Sequence, residues 1–262
     1  MKRCWVWEAA VLMLGGLLGA ASAQDFQKTY SLNAGARVSV KNVSGDITVT
    51  GYQGRDVLVA AFKEGPDRNL VQVEDQSTSE GIALSVRYPQ GSRCDASVRF
   101  ELRVPSGLEL NYDSLSNASG NISIESVKGT VRAKTASGNV TVSEAEGTID
   151  ASSASGDVTA RGIAGSVNAR TASGDVRVEL VRPLGGSAMK FSSASGDVTV
   201  KAPANLDAEV EMATASGALK TDFPLSVEDR NLGAGKKATG RLGSGAGQIK
   251  ISTASGNVNL IR

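Results

Sequence analysis

"TASGNVTV" at 135–142 returns as "SASGDVTA" at 153–160 and again as "TASGDVRV" at 171–178. The glycines set the interval: Gly120, Gly129, Gly138, Gly147, Gly156, Gly165 and Gly174 follow one another at steps of nine. Around them runs a comb of small apolar residues: Ala136, Gly138, Val140, Val142, then Ala145, Gly147, Ile149, Ala151, then Ala154, Gly156, Val158, Ala160. Within a comb the period is two, the alternation of a β-strand. Between combs the step is three, so neighbours such as Ser143 and Glu144 both point outward and mark a corner.

A strand with alternating faces cannot repeat every nine residues with the same side inward unless it breaks phase once per unit. Each unit is therefore one strand and one corner. The close likeness returns at eighteen, where "ASG[DN]" alternates with the looser "VKGTV", "AEGTI" and "IAGSV". Two units then make one coil, and coils stack with like residues above like. The expected fold is all-β, a single-stranded parallel β-helix (β-solenoid) with about 18 residues per coil and rungs about 4.8 Å apart.

The inward set is small, and from Asp113 onward the only aromatics are Phe191 and Phe223, so the core is thin and stability accumulates along the stack. The glycines are placed on the inward side, where a side chain would crowd the facing wall or resist the bend. After Gly174 the period loosens: "ASGDVTV" at 194–200 and "ASGALK" at 215–220 follow with extra residues read as loops. An excursion at 221–242 carries "DRNLGAGKKATG", and strict spacing returns at Gly247 and Gly256. The stretch 24–115 has one early "VSGDITV" at 43–49, then longer runs such as "DVLVAAF", "IALSVRY" and "SVRFELRV". It reads as a β-rich capping region continuous with solenoid repeats over 116–262.

The chain opens with Met1, Lys2 and Arg3, an apolar run from Ala9 to Ala20, and Ala21-Ser22-Ala23. This is the pattern of a cleavable signal peptide over 1–23, and the apolar run is shorter than the roughly 20 residues of a spanning helix. The mature protein is expected to begin at Gln24, exported to the periplasm, the cell surface or the medium, with no membrane span. Cleavage removes Lys2, Arg3 and Glu8 and leaves 26 basic and 26 acidic residues, so charge gives no case for nucleic acid. Cys94 is then the only cysteine, which rules out an intramolecular disulfide.

The "SGD[VI]xV" repeats behind a signal peptide, "ELRVPSGLELN" at 101–111 and "GSGAGQIKISTASGNVNL" at 243–260 resemble the bacterial exported β-strand-repeat family named "putative adhesin", related to the head GIN domain group. The resemblance covers most of the mature chain. It implies right-handed parallel β-helices, the usual hand of parallel crossovers, and no defined catalytic or binding residue.

There is no histidine, which excludes Ser-His-Asp and Cys-His nucleophiles and histidine metal sites. "GAGKKATG" at 233–240 lacks the Walker spacing and reads as a surface loop. A column of Asn121, Asn139, Asp157, Asp175 and Asp197, one per coil, has the oxygen-rich character that can hold a hard cation. The alternative is that each side chain satisfies backbone at its own bend, and no catalytic residue, metal ligand or cofactor is assigned. The function expected is a non-catalytic, adhesion-like or scaffold protein of the cell envelope with a protein or polysaccharide partner. A carbohydrate-active β-helix enzyme and an envelope-stress accessory protein are the alternatives. Regular repeats run to Leu260, and a terminal coil without a cap exposes unpaired backbone groups, so weak self-association through the final coil is expected.

Overall fold

The structure, a computed structural model, describes residues 25–91, 93–183, 185–229 and 235–262. The signal peptide read at 1–23 lies outside the described residues. The fold is all-β and solenoid-like, a single sheet wrapped on itself with one short 3-10 turn at Arg68–Leu70. Each coil has two strands, and the coils are numbered here by position along the stack.

Coil 1 is Gly81–Arg87 with Ser97–Pro105, coil 2 Arg37–Lys41 with Ile47–Tyr52, coil 3 Glu109–Ser119 with Ile122–Glu125, and coil 4 Lys128–Ser137 with Val140–Ser143. Coil 5 joins Glu146–Ser155 to the first part of the long strand Val158–Ser173, whose second part joins Val176–Pro183 as coil 6. Coil 7 is Ala188–Ser195 with Val198–Lys201, coil 8 Gly247–Ser255 with Val258–Ile261, and coil 9 Ala208–Ser216 with Leu219–Thr221. Successive coils pair in parallel. In the regular part the partners are eighteen residues apart, as in Lys128 beside Glu146 and Val140 beside Val158.

The corner read at Ser143 and Glu144 is present, with Glu144 at φ +52° and exposed. The second phase break lies elsewhere than the comb placed it. Ser153 faces inward while Ala154 and Ser155 are exposed, and the same holds at Thr135, Ala136 and Ser137. Alanines of the "ASG" motif are therefore surface residues and the preceding Thr or Ser is a core residue. The reason is hydrogen bonding, described below. Valine and isoleucine rows such as Val140, Val158, Val176, Val198 and Val258 fill the interior and are wholly buried.

The coils do not stack in chain order. Coil 2 comes from 37–52 yet lies between coil 1 (81–105) and coil 3 (109–125). Coil 8 comes from the last residues yet lies between coil 7 and coil 9: Ser192 stands beside Ser252, and Ser252 beside Ala213. The final coil is thus paired on both sides, through Val258 to Val198 and to Leu219 on its short strand. The open edge that called for self-association through the final coil does not exist. The chain leaves coil 7, skips one rung of about 5 Å, builds coil 9, and returns to fill the gap.

Beyond coil 9, Lys236–Leu242 pairs antiparallel with Ala208–Ser216, and Ser226–Asp229 pairs antiparallel with that strand. The "GAGKKATG" stretch read as a loop is in part this strand, from Lys236 to Gly240. At the opposite end, Val57–Glu64 and Phe26–Tyr30 extend Ser97–Pro105, and Gln72–Asp75 extends Gly81–Arg87, all antiparallel. Antiparallel strands end the parallel stack because their register presents short, charged edges to water rather than another templating rung. The boundary read between 115 and 116 falls inside the coil-3 strand Glu109–Ser119, so stacking begins well before residue 116.

Candidate functional site

At the bend between the two strands of a coil, the backbone ladder is interrupted and two peptide groups lose their strand partners. Side chains of the "[ST]-A-S-G-[DN]" motif repair the gap from one coil to the next. The Thr171 hydroxyl donates to the Gly156 carbonyl (2.8 Å) and the Asp175 N–H donates to Asp157 Oδ1 (2.8 Å), both from coil 6 to coil 5. The same pair of bonds joins coil 5 to coil 4 through Ser153 and Asp157, and coil 8 to coil 7 through Thr253 and Asn257. A buried hydroxyl without a partner is costly, and this bond is what turns Thr135, Ser153 and Thr171 inward.

The Asn and Asp column is a hydrogen-bond column between coils. Asn121, Asn139, Asp157, Asp175 and Asp197 each accept an N–H from the next coil rather than from their own bend. Asp46 begins the column by accepting from Asn121. Arg177 bridges Asp157 and Asp175, one rung apart, at 3.1 Å and 2.6 Å. Its guanidinium offsets the repulsion between those two carboxylates. Among the described residues no group of three or more Cys, Asp or Glu side chains is placed to hold a metal ion.

The bend also explains the glycines. Gly156 has φ +144°, and a Cβ there would overlap the Gly138 carbonyl oxygen of the coil below. Of the two reasons the sequence left open, the bend applies, and the crowding is along the stack rather than against the facing wall.

Cys94, the free thiol, is half-buried, and desolvation together with the Asp67 and Asp95 carboxylates pushes its pKa up. That is the opposite of an activated nucleophile. Asp207 is held below the usual carboxylate range by the Ser244 hydroxyl and by N–H groups of the 244–246 turn, so it ties a turn together.

The surface feature that the sequence did not reveal is a furrow along the stack. Its floor is the inward Thr and Ser row together with Asn42 and Asn117. One rim is the exposed row Val43, Ala118, Ala136, Ala154, Ala172, Ala194, Ala254 and Ala215. The other rim carries Lys41, Ser116, Lys134, Ser152, Arg170 and Ser192 on successive coils. Two hollows on this line have volumes of about 450 Å³, beside Asn117, Thr135 and Ser153, and about 540 Å³, beside Ser193, Thr253 and Thr214. Register places Arg170, Thr171 and Ala172 between them.

A family model described as Toastrack DUF4097 matches residues 37–261. The chain belongs to this family. The match begins at the first residue of coil 2 and ends with coil 8, so the Toastrack model spans the whole interleaved stack. Among curated proteins none matches this Toastrack chain. A crystal structure of a "putative cell adhesion protein" from Clostridium sporogenes is similar over 90% of the chain and 98% of its own, at 11% identity and a TM-score of 0.39. A "putative adhesin" from Bacteroides fragilis is similar over 90% and 96%, at 11% identity and a TM-score of 0.38. One from Parabacteroides distasonis is similar over 89% and 96%, at 12% identity and a TM-score of 0.38. No helix among the described residues of this Toastrack chain is long and apolar enough to cross a membrane.

Proposed function

We propose that this Toastrack chain is a non-catalytic, exported protein of the cell envelope that acts as an adhesion-like scaffold. One observation carries the reading: the Thr or Ser before "ASG" and the Asp or Asn after it, the polar side chains at the bend, are consumed in joining coil to coil. The repeat is thus a device for length and rigidity, and what it offers outward is a long regular surface rather than a converging set of reactive groups. The signal-peptide pattern at 1–23 supports export. The coils are taken as a right-handed parallel β-helix, the hand that nearly all parallel crossovers adopt.

Expression of the full chain in a bacterial host, with fractionation and intact-mass measurement, tests the compartment. The expected product is a mature protein beginning at Gln24 in the periplasmic or extracellular fraction, and retention of Met1 to Ala23 would contradict it. Incubating that product with envelope and plant-wall polysaccharides tests the absence of catalysis. The expected result is retention on the polymer without new reducing ends. Steady release of reducing ends would establish the carbohydrate-active enzyme instead.

A further inference from the structure

The furrow has the dimensions and charge pattern of a polymer site. From coil 2 to coil 9 it runs seven rung steps, about 34 Å at the spacing of paired strands. Its cations are not scattered: Lys41, Lys134 and Arg170 stand on coils 2, 4 and 6, while Ser116, Ser152 and Ser192 take the same position on coils 3, 5 and 7. Positive charge therefore recurs every second rung from coil 2 to coil 6, about 10 Å apart, and Ser252 and Ala213 hold the position on coils 8 and 9. Lys41 and Lys134 make no ion pair among the described residues. Arg170 touches Asp150 at 3.1 Å while its side chain stays 52% exposed. The rim row itself carries no acidic residue; Asp150 beside it is paired with Arg170, and Glu211, which lines the second hollow, is paired with Lys237 and Lys250. The opposite rim is a line of exposed alanine methyl groups, begun by Val43.

We propose that this furrow binds a linear acidic polysaccharide that carries one carboxylate per disaccharide, laid along the stack with one sugar per rung. Three features select that chemistry. Extended pyranose chains advance by nearly one rung per sugar, so an alternating acidic and neutral chain sets its carboxylates against alternate rungs. The alanine rim gives the C–H faces of the rings an apolar bed, and the rim serines Ser116, Ser152 and Ser192 offer hydrogen bonds to hydroxyls. An extended peptide fits less well, because its residues advance about 3.3 Å each and fall out of step with the rungs. The proposal rests on the non-catalytic, adhesive reading above and gives that surface its ligand class.

The mature protein is titrated at low ionic strength with hyaluronan oligosaccharides, in which glucuronate alternates with a neutral amino sugar, with dextran as the uncharged control and poly-glutamate as the peptide control. The expected result is binding of hyaluronan alone. The combined variant Lys41→Ser, Lys134→Ser, Arg170→Ser should weaken it about tenfold, the sum of three exposed charge contacts. Removing three cations off the furrow, at Arg55, Arg161 and Lys220, should leave it unchanged. Ala136→Glu, which puts a like charge on the methyl rim without touching a cation, should weaken it as well. Thermal melts equal to the parent's establish that each variant is folded. The proposal is overturned by a folded parent that ignores hyaluronan, by a folded rim variant that binds as the parent does, or by poly-glutamate binding as tightly. Retention of the parent on whole envelopes that survives the rim substitutions would keep the adhesive function and remove the furrow from it.

Discussion

Gly156→Val lowers the melting temperature by about 10 °C, whereas Asp157→Ala next to it lowers it by only a few degrees. The valine must adopt φ +144° and pushes its Cβ into the Gly138 carbonyl oxygen. Backbone strain of this kind costs roughly 1–3 kcal/mol and overpacking a further 1–3 kcal/mol. At roughly 2–4 °C per kcal/mol for a domain of this size, the sum gives a shift of that order. Asp157→Ala removes one acceptor from the Asp175 N–H and one of the two carboxylates on Arg177, which keeps Asp175, for about 1 kcal/mol at this half-exposed site. Melting curves of the two variants check the prediction, and equal shifts would mean that the glycine column does not touch the coil below.

Deleting 248–262 has a larger effect. The deletion withdraws coil 8 from between coils 7 and 9 and exposes both of its neighbours. Ile249, Ile251, Val258 and Leu260 are all essentially fully buried there. At about 1.5–3 kcal/mol each, their loss matches the roughly 5–15 kcal/mol that holds a typical domain together. The truncated protein is expected to lose its cooperative transition and to aggregate through the opened rungs, and a synthetic peptide spanning 246–262 should restore the transition. A terminal coil merely laid on the end of the stack would instead leave cooperative melting intact after deletion, shifted by a few degrees.

Much of this architecture is legible in the sequence because it is local. The nine-residue step, the alternation within it and the corner at Ser143 and Glu144 all follow from side-chain period. The phase break at "ASG" is not legible from hydropathy. Alanine is apolar enough to count as core, yet Ala136 and Ala154 are exposed, because the hydroxyls of Thr135 and Ser153 must reach a glycine carbonyl of the neighbouring coil. The Asp and Asn column was visible as a column, but its partners lie one coil away and appear only with the register.

Coil order is lost for a deeper reason. Periodicity says that a coil has neighbours without saying which ones. One residue does carry the information. Every bend from Asp46 to Asn257 has Asp or Asn after its glycine except "ASGAL", where Ala218 stands in its place. Ala218 donates its N–H to Asn257 Oδ1 and needs no acceptor of its own, since no further parallel coil lies beyond. Asn257, although nearest the end of the chain, keeps its acceptor because coil 9 follows it. The furrow inherits this order, since its second hollow exists only if Thr253 lies between Ser193 and Thr214.

Disulfide trapping in a Cys94→Ser background tests the interleaved stack most directly. In the pair Ser192→Cys with Ser252→Cys, the two positions are register partners on adjacent coils, about 4.8 Å apart at the backbone and within the roughly 4.4–6.8 Å that a disulfide spans. In the pair Ser192→Cys with Ala213→Cys, coil 8 intervenes and the separation is about 10 Å, beyond reach. The account predicts rapid, near-complete oxidation of the first pair in the folded protein and none of the second, read by mass and non-reducing gel mobility. Crosslinking of 192 to 213 with 252 left free would show the coils stacked in chain order and contradict the account.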